Sequence, residues 1–242
     1  MLKDKKVIIF DLDGTLIDSI GVWNDIDEEL IKAIGNGEID NVDIAKQRDS
    51  KLKEFSESED AYQEYCKFLK EKYNSKMSAT NIRKLRYEIA DQYLKEKVDY
   101  KPNAEETLKY LKQKGFILVI ASSTNDHTIE KYKKENKNII SKANFEDTFS
   151  LIYAKGAVKQ LKPNPEIHYK ILKELKVKKE ECIIIEDSLI GVEAANNAGI
   201  EVCVMYDKFS DCDRKEINRL SQYQFKNFEE MLSYIKNELE EN

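Results

Sequence analysis

Asp11 and Asp13, two residues apart, are the first side chains in this sequence whose types and spacing could do chemistry. On an extended backbone they project to one side while Leu12 points to the other. Two carboxylates in so small a space repel unless a cation or a shared proton relieves them, so the pair marks a metal site. Three more polar groups of the same character occur later in the chain: Ser122 with Ser123, Lys162, and Glu186 with Asp187. Carboxylates with hydroxyls and a lysine, and no Cys or His beside them, suit a hard, oxygen-bound cation such as Mg²⁺ and do not suit zinc.

Each group is expected at the end of a strand. Val7 to Phe10 are four consecutive apolar residues, read as a strand buried on both faces, and Gly14 lets the chain turn away after it. Phe116 to Ala121 forms a second strand, Phe149 to Tyr153 a short third run, Cys182 to Ile185 a fourth, and Val202 to Met205 the last. Helices are predicted between them. Asn103 with Glu106 makes a capping box before Leu108 and Leu111, closed by Gly115. Another helix carries Ile129 and Tyr132. Pro165, at a first-turn position, opens one through Ile167, Ile171 and Leu175. Gly191, Ala194, Ala195 and Ala198 give the next a small-residue face, closed by Gly199, and Phe228 to Ile235 lies on a terminal amphipathic helix.

This alternation predicts an α/β fold, a doubly wound parallel sheet of Rossmann-like kind, over residues 1–17 and 99–242. Ligands bind such sheets at the carboxyl ends of the strands, where all four polar groups converge. There Asp11, Asp187 and a backbone carbonyl could complete the Mg²⁺ shell with a substrate phosphate. The Ser122 hydroxyl and the N–H groups opening the next helix would hold phosphate oxygens, and Lys162 would neutralise the remaining charge.

Residues 18–98 carry no strand signal and are expected to form an inserted all-helical domain. Asp18-Ser19 caps a helix through Ile20, Trp23, Ile26, Leu30 and Ile34, stopped by Gly35-Asn36-Gly37. A weaker stretch spans Val42 to Leu52. Ala61, Tyr65, Phe68 and Leu69 mark another helix, and Ile82, Leu85, Ile89 and Tyr93 a long one. The aromatic stripe Phe55, Tyr62, Tyr65, Phe68 and Tyr73 is expected to be core, with a pocket lining as the alternative.

Charged residues make up 36% of the 242 and the formal net charge is -6, which argues against nucleic acid and acidic membranes as partners. No apolar run reaches transmembrane length. The four cysteines, Cys66, Cys182, Cys203 and Cys212, lack metal-ligand spacing, and a reduced, cytoplasmic setting is expected. His127 and His168 fall on predicted helices as packed or solvated side chains. Thr15 is expected to buttress its own turn through a local hydrogen bond. Oligomeric state has no signature in the sequence.

Taken in order, Asp11-Leu12-Asp13-Gly14-Thr15, Ser122 after its apolar strand, Lys162-Pro163, and Glu186-Asp187 resemble the four motifs of the haloacid dehalogenase (HAD) superfamily. Ser188 to Gly199 is similar to the helix following its last motif. The closest likeness is to the subgroup with a helical cap after the first motif, which holds phosphoglycolate phosphatases, β-phosphoglucomutase and many sugar-phosphate phosphatases. That resemblance covers the core and, in the helical region, the topology alone. It implies a phosphatase acting on a small phosphorylated metabolite, with Asp11 as nucleophile forming an aspartyl-phosphate. Asp13 would act as general acid and base, and Ser122, Ser123 and Lys162 would bind phosphate. The metal-site residues would be Asp11, Asp13, Glu186 and Asp187, with Asp13 spared side-chain coordination and Glu186 acting through water. Lys155 and Lys159 are weaker choices than Lys162, which precedes proline as in the family.

Dehalogenation is disfavoured, because it needs no second acid and the Asp11/Asp13 pair is intact. A phosphosugar mutase of the β-phosphoglucomutase kind is the alternative, though it uses a histidine about where Trp23 stands. A non-catalytic phosphate-binding or regulatory module would be expected to lack one of the groups, and all are present. Pro102-Asn103 departs from the subgroup's usual Pro-Gly. The helical insert would select the leaving group, with linkers near Thr15–Ser19 and Val98–Lys101 as hinges and Trp23 and Arg48 as candidate contacts.

Overall fold

The computed structural model describes residues 1–35, 44–55, 58 and 60–240. The chain divides into two compact units, Met1–Ser19 with Val98–Asn242, and Ile20–Lys97. Asn36, Gly37 and Val42, which figure in the expected end of the first helix and start of the second, lie outside the described residues.

The unit Ile20–Lys97 is helical: α1 (Ile20–Ile34), α2 (Ile44–Glu54), α3 (Ala61–Lys72) and α4 (Ala79–Glu96). The apolar spacing of α1 buries Val22, Ile26, Leu30, Ile31 and Ile34, and buries Asp27 among them. On α4 the expected stripe holds at Ile82 and Ile89, which are buried, but Arg86, Ala90 and Leu94 are buried in place of Leu85 and Tyr93, which are half-buried. The cause is an ion cluster. Asp27 is wholly buried and accepts from Arg86 Nε at 2.7 Å and from Arg48 Nη1 at 2.9 Å. The Arg86 guanidinium also stands over the rings of Trp23 and Tyr62. Removing one partner of a buried pair strands the other charge, so Asp27→Ala is expected to cost about 3–5 kcal/mol. A denaturant midpoint shift at unchanged slope would measure it. Of the aromatic stripe only Tyr65 is fully buried; Phe55, Phe68 and Tyr73 are half-buried and Tyr62 is exposed, so the expectation of core holds for one ring.

The other unit is a parallel sheet. Its strands among the described residues are β1 (Val7–Phe10), β2 (Ile117–Ala121), β3 (Leu151–Tyr153), β4 (Cys182–Glu186), β5 (Glu201–Met205) and β6 (Tyr223–Phe225), in spatial order β3-β2-β1-β4-β5-β6. Every pairing is parallel. The helices are α5 (Ala104–Gln113), α6 (Asp126–Lys134), α7 (Lys137–Ala143), α8 (Phe145–Thr148), α9 (Glu166–Leu175), α10 (Leu189–Ala198), α11 (Arg214–Leu220) and α12 (Phe228–Glu240).

Val7 to Phe10 are all 0% exposed, because the central strand is covered on both faces. Val7 and Ile9 belong to a core with Ile167 and Ile171 of α9, Val192 and Ala195 of α10 and Ile217 of α11. Phe10 instead meets Phe149 edge-on, with ring centroids 6.4 Å apart. The small face of α10 lets it sit close to the sheet, and Gly199 ends it in the left-handed region at φ 69°.

Three sequence expectations are corrected in this unit. Val202–Met205 lies in β5, which is not the last strand: β6 adds to the edge beside it, its Tyr-Gln-Phe being too short for a periodicity to register. The capping box at Asn103 does not form. Asn103 adopts φ 64°, a left-handed conformation that turns its side chain away from capping, and its carbonyl accepts from Thr107 Oγ1. That φ explains the departure from Pro-Gly, since asparagine is among the few non-glycine residues that tolerate it. Pro165 stands one residue before the helix, at the cap, rather than inside its first turn.

Candidate active site

Backbone register brings the acids together before any side chain is considered. Phe10 pairs with Ile185 of β4 and with Ile120 of β2, and the Asp11 N–H donates to the Ile185 carbonyl at 2.9 Å. Asp11 and Glu186 are therefore neighbours at the carboxyl ends of adjacent strands, with Ser122 two residues beyond Ile120 on the other side. Gly14, at φ 86°, then turns the chain sharply.

Lys162 joins the cluster from the loop after β3. Its Nζ donates to Asp11 Oδ1 at 2.7 Å and to Glu186 Oε1 at 2.6 Å, with only 3% of its side chain exposed. The Lys162–Pro163 peptide is cis. Lys155 and Lys159, the weaker choices, are exposed. Burial works against the Lys162 charge, but Asp11 and Glu186 overcome it and hold its pKa above the ordinary lysine value.

Asp11, Glu186 and Asp187 each offer one carboxylate oxygen within 4.8 Å of the others. Burial raises the Asp187 pKa to about 7, aided by Glu186, and raises Asp11 well above the carboxylate range, again with Glu186 adding and Lys162 opposing. Three crowded carboxylates facing one ammonium leave excess negative charge, and the donors are hard oxygens, so the cluster fits a divalent cation.

Glu186 and Asp187 are tightly held. Glu186 Oε2 accepts from the N–H groups of Asp187 and Ser188 at 3.0 and 3.1 Å and from Ser188 Oγ at 3.0 Å. Asp187 Oδ1 accepts from Thr15 Oγ1 at 2.6 Å, and its Oδ2 from Ser210 Oγ at 3.2 Å. Thr15 thus bonds across the sheet rather than within its own turn, because the turn at Gly14 carries it over the end of β4. Gly191, in the first turn of α10, leaves the space that the Glu186 carboxylate occupies; a Cβ there would collide with it. Gly191→Ala should push that carboxylate off Lys162 and lower kcat about 10²-fold, the scale of an ångström-size misplacement. Steady-state kinetics beside a far-ultraviolet spectrum would separate this loss from misfolding.

Ser122 is 1% exposed, and its Oγ accepts from the Thr124 N–H at 3.0 Å, which leaves the hydroxyl proton to donate elsewhere. Ser123 beside it is half-buried. Asp13 lies outside the three-carboxylate group: Ser19 Oγ donates to its Oδ1 at 2.5 Å and Thr124 Oγ1 donates to its Oδ2. Ser19, expected as a helix cap, spends its hydroxyl on Asp13. Thr124 and Ser210 were not singled out from sequence, which has no local pattern for a hydroxyl that bonds to an acid 111 or 23 positions away. His168 is fully buried and pushed down to about 3 by desolvation, and His127 is exposed on α6. Cys66, Cys182 and Cys203 are buried free thiols and Cys212 is an exposed one.

Fold and site together define an enzyme class, parallel α/β proteins whose acids, hydroxyl and lysine meet at the strand ends. The chain belongs to the haloacid dehalogenase-like hydrolases, whose family model matches residues 8–205. It is 28% identical over 196 residues to the phosphorylated carbohydrates phosphatase of Thermotoga maritima, covering 81% of this chain and 82% of that one. It is also 28% identical over 239 residues to the glyceraldehyde 3-phosphate phosphatase of Pyrococcus furiosus, covering 96% and 94%. Among solved structures, a candidate beta-phosphoglucomutase from Thermotoga maritima shares the fold with a TM-score of 0.75 at 24% identity, over 96% of this chain and 99% of that one. Among the described residues, no helix is long and apolar enough to cross a membrane.

Proposed function

We propose that this protein is a Mg²⁺-dependent phosphatase that hydrolyses a phosphate monoester of a small metabolite, of the phosphosugar kind, through an aspartyl-phosphate on Asp11. The observation that carries the reading is the Lys162 ammonium held between Asp11 and Glu186, with Asp187 alongside. The names of its relatives, phosphatases of phosphorylated carbohydrates and of glyceraldehyde 3-phosphate, support the substrate class.

Asp11, through its side chain, and Asp187 would hold the metal, with Glu186 acting through water. Bound there, the ion would supply charge that offsets the repulsion between carboxylate and phosphate. Asp11, at the end of a rigid central strand, attacks phosphorus in line with the leaving oxygen. Lys162, Ser122 and the N–H groups after β2 bind the transferring oxygens. Asp13, outside the metal cluster, gives its proton to the leaving alkoxide and later takes one from water as the aspartyl-phosphate is hydrolysed.

A p-nitrophenyl phosphate assay with and without Mg²⁺, followed by a panel of phosphorylated metabolites, tests the reading. Metal-dependent release of phosphate is the expected result. Conversion of β-glucose 1-phosphate to glucose 6-phosphate in the presence of a bisphosphate activator would make the chain a mutase instead. No metal-dependent turnover at all would favour a binding module.

Metal binding should also register as stability. The raised carboxylates favour the fold fully below their unfolded pKa of about 4 and lose that contribution as pH rises through the folded values, near 7 for Asp187. Mg²⁺, which binds the ionised forms, should therefore stabilise more at pH 8 than at pH 5. At 100 times its Kd the gain is about 2.7 kcal/mol, or roughly 5–10 °C in Tm. Thermal melts at both pH values with Mg²⁺ and with EDTA check the sign.

A further inference from the structure

Asp13 is seated among hydroxyls drawn from separate parts of the α/β unit. Ser19 and Thr124 each donate to one of its oxygens, which leaves further acceptor capacity on the carboxylate. Tyr132, on α6, is 0% exposed, and its phenol has no aligned hydrogen-bond partner. A buried hydroxyl without a well-aligned partner is costly and calls for a reason. The groups around it supply one: the phenol lies against the Asp13 carboxylate and the Ser19 hydroxyl, and burial and then Asp13 keep its proton on, well above the ordinary tyrosine pKa.

We propose that Tyr132, together with Thr124, is a positioning residue that holds the Asp13 carboxyl group in a seat of hydroxyl donors and so sets its aim at the leaving oxygen. This rests on the phosphatase reading above, in which Asp13 protonates the departing group. The unaligned phenol then has a use. A small rotation of Asp13 away from Ser19 or Thr124 leaves a third donor ready, so the acid can turn toward substrate without losing its buried partners.

The test uses Tyr132→Phe and Thr124→Val, which keep ring and shape while removing the hydroxyl, with aryl and alkyl phosphates of graded leaving-group basicity at saturating Mg²⁺. The quantity read is kcat/KM, which reports transfer to Asp11. Poor leaving groups need the acid most, so the loss should grow along the series, reaching about tenfold for an alkyl phosphate, the scale of one hydrogen bond to a charged group. In an Asp13→Asn background the same substitutions should cause no further loss. Equal loss on every substrate, no loss on any, or full additivity with Asp13→Asn would overturn the inference while leaving the phosphatase intact. A wild-type protein without metal-dependent hydrolysis would remove both.

Discussion

Asp11→Asn is expected to lower kcat for p-nitrophenyl phosphate by more than about 10⁴-fold, the scale on which loss of a nucleophile operates. The same substitution should raise the stability of the metal-free protein at neutral pH. Burial, and then Glu186, press Asp11 toward its neutral form, so an uncharged isostere relieves both penalties, and Lys162 keeps Glu186 as a partner. The gain should be absent near pH 4, where the native carboxyl is already protonated. Activity and Tm measured on one preparation check the two signs together. A fall in Tm without metal would mean that Asp11 serves the fold through its charge, against the electrostatics described above.

Lys162→Met should be the next most damaging change at the site. Its ammonium bonds two carboxylates and, in the proposed mechanism, would meet the charge that develops on the transferring phosphate. Loss of such a donor costs about 10²–10³ in kcat. The stability effect has a definite pH dependence. Without the lysine, Asp11 loses the partner that opposes the rise in its pKa, so the variant should be little destabilised at pH 4 and increasingly so as pH rises. At pH 8 the loss should approach the roughly 3–5 kcal/mol of a broken buried ion pair. Denaturant titrations at the two pH values measure it, and Mg²⁺ should recover part of the loss. A pH-independent deficit would point to lost packing of the lysine stem instead.

Much of this site was legible because it sits where periodicity changes. Val7 to Phe10, Phe116 to Ala121 and Cys182 to Ile185 are uninterrupted apolar runs, and the polar residue after each run stands at a strand end by construction. Lys162 was harder, since three lysines share its loop; the proline after it and the family pattern favour it, and its burial beside the exposed Lys155 and Lys159 agrees. What escaped the sequence was long-range or conformational. Thr124, Tyr132 and Ser210 act through contacts across the fold. Arg86 looks like a solvated helix residue until Asp27 is found buried beneath it. Asn103 has the chemistry of a cap, and its φ decides otherwise. Ser19 had two eligible partners, a helix N–H or an acid, and nothing local chooses between them.

The parallel ladder around β1 also bears on how such a protein can change over time. Phe10 faces Ile120 on one side and Ile185 on the other, and those pairings are made by main-chain atoms that every residue carries. The addresses of Asp11, Ser122 and Glu186 therefore survive replacement of the side chains that occupy them. New reactions could be explored by varying a few codons at the strand ends, while the frame that aims those positions is inherited unchanged. Gly191 is an exception to that freedom. The Glu186 carboxylate fills the space where its side chain would be, so the two positions can drift only together.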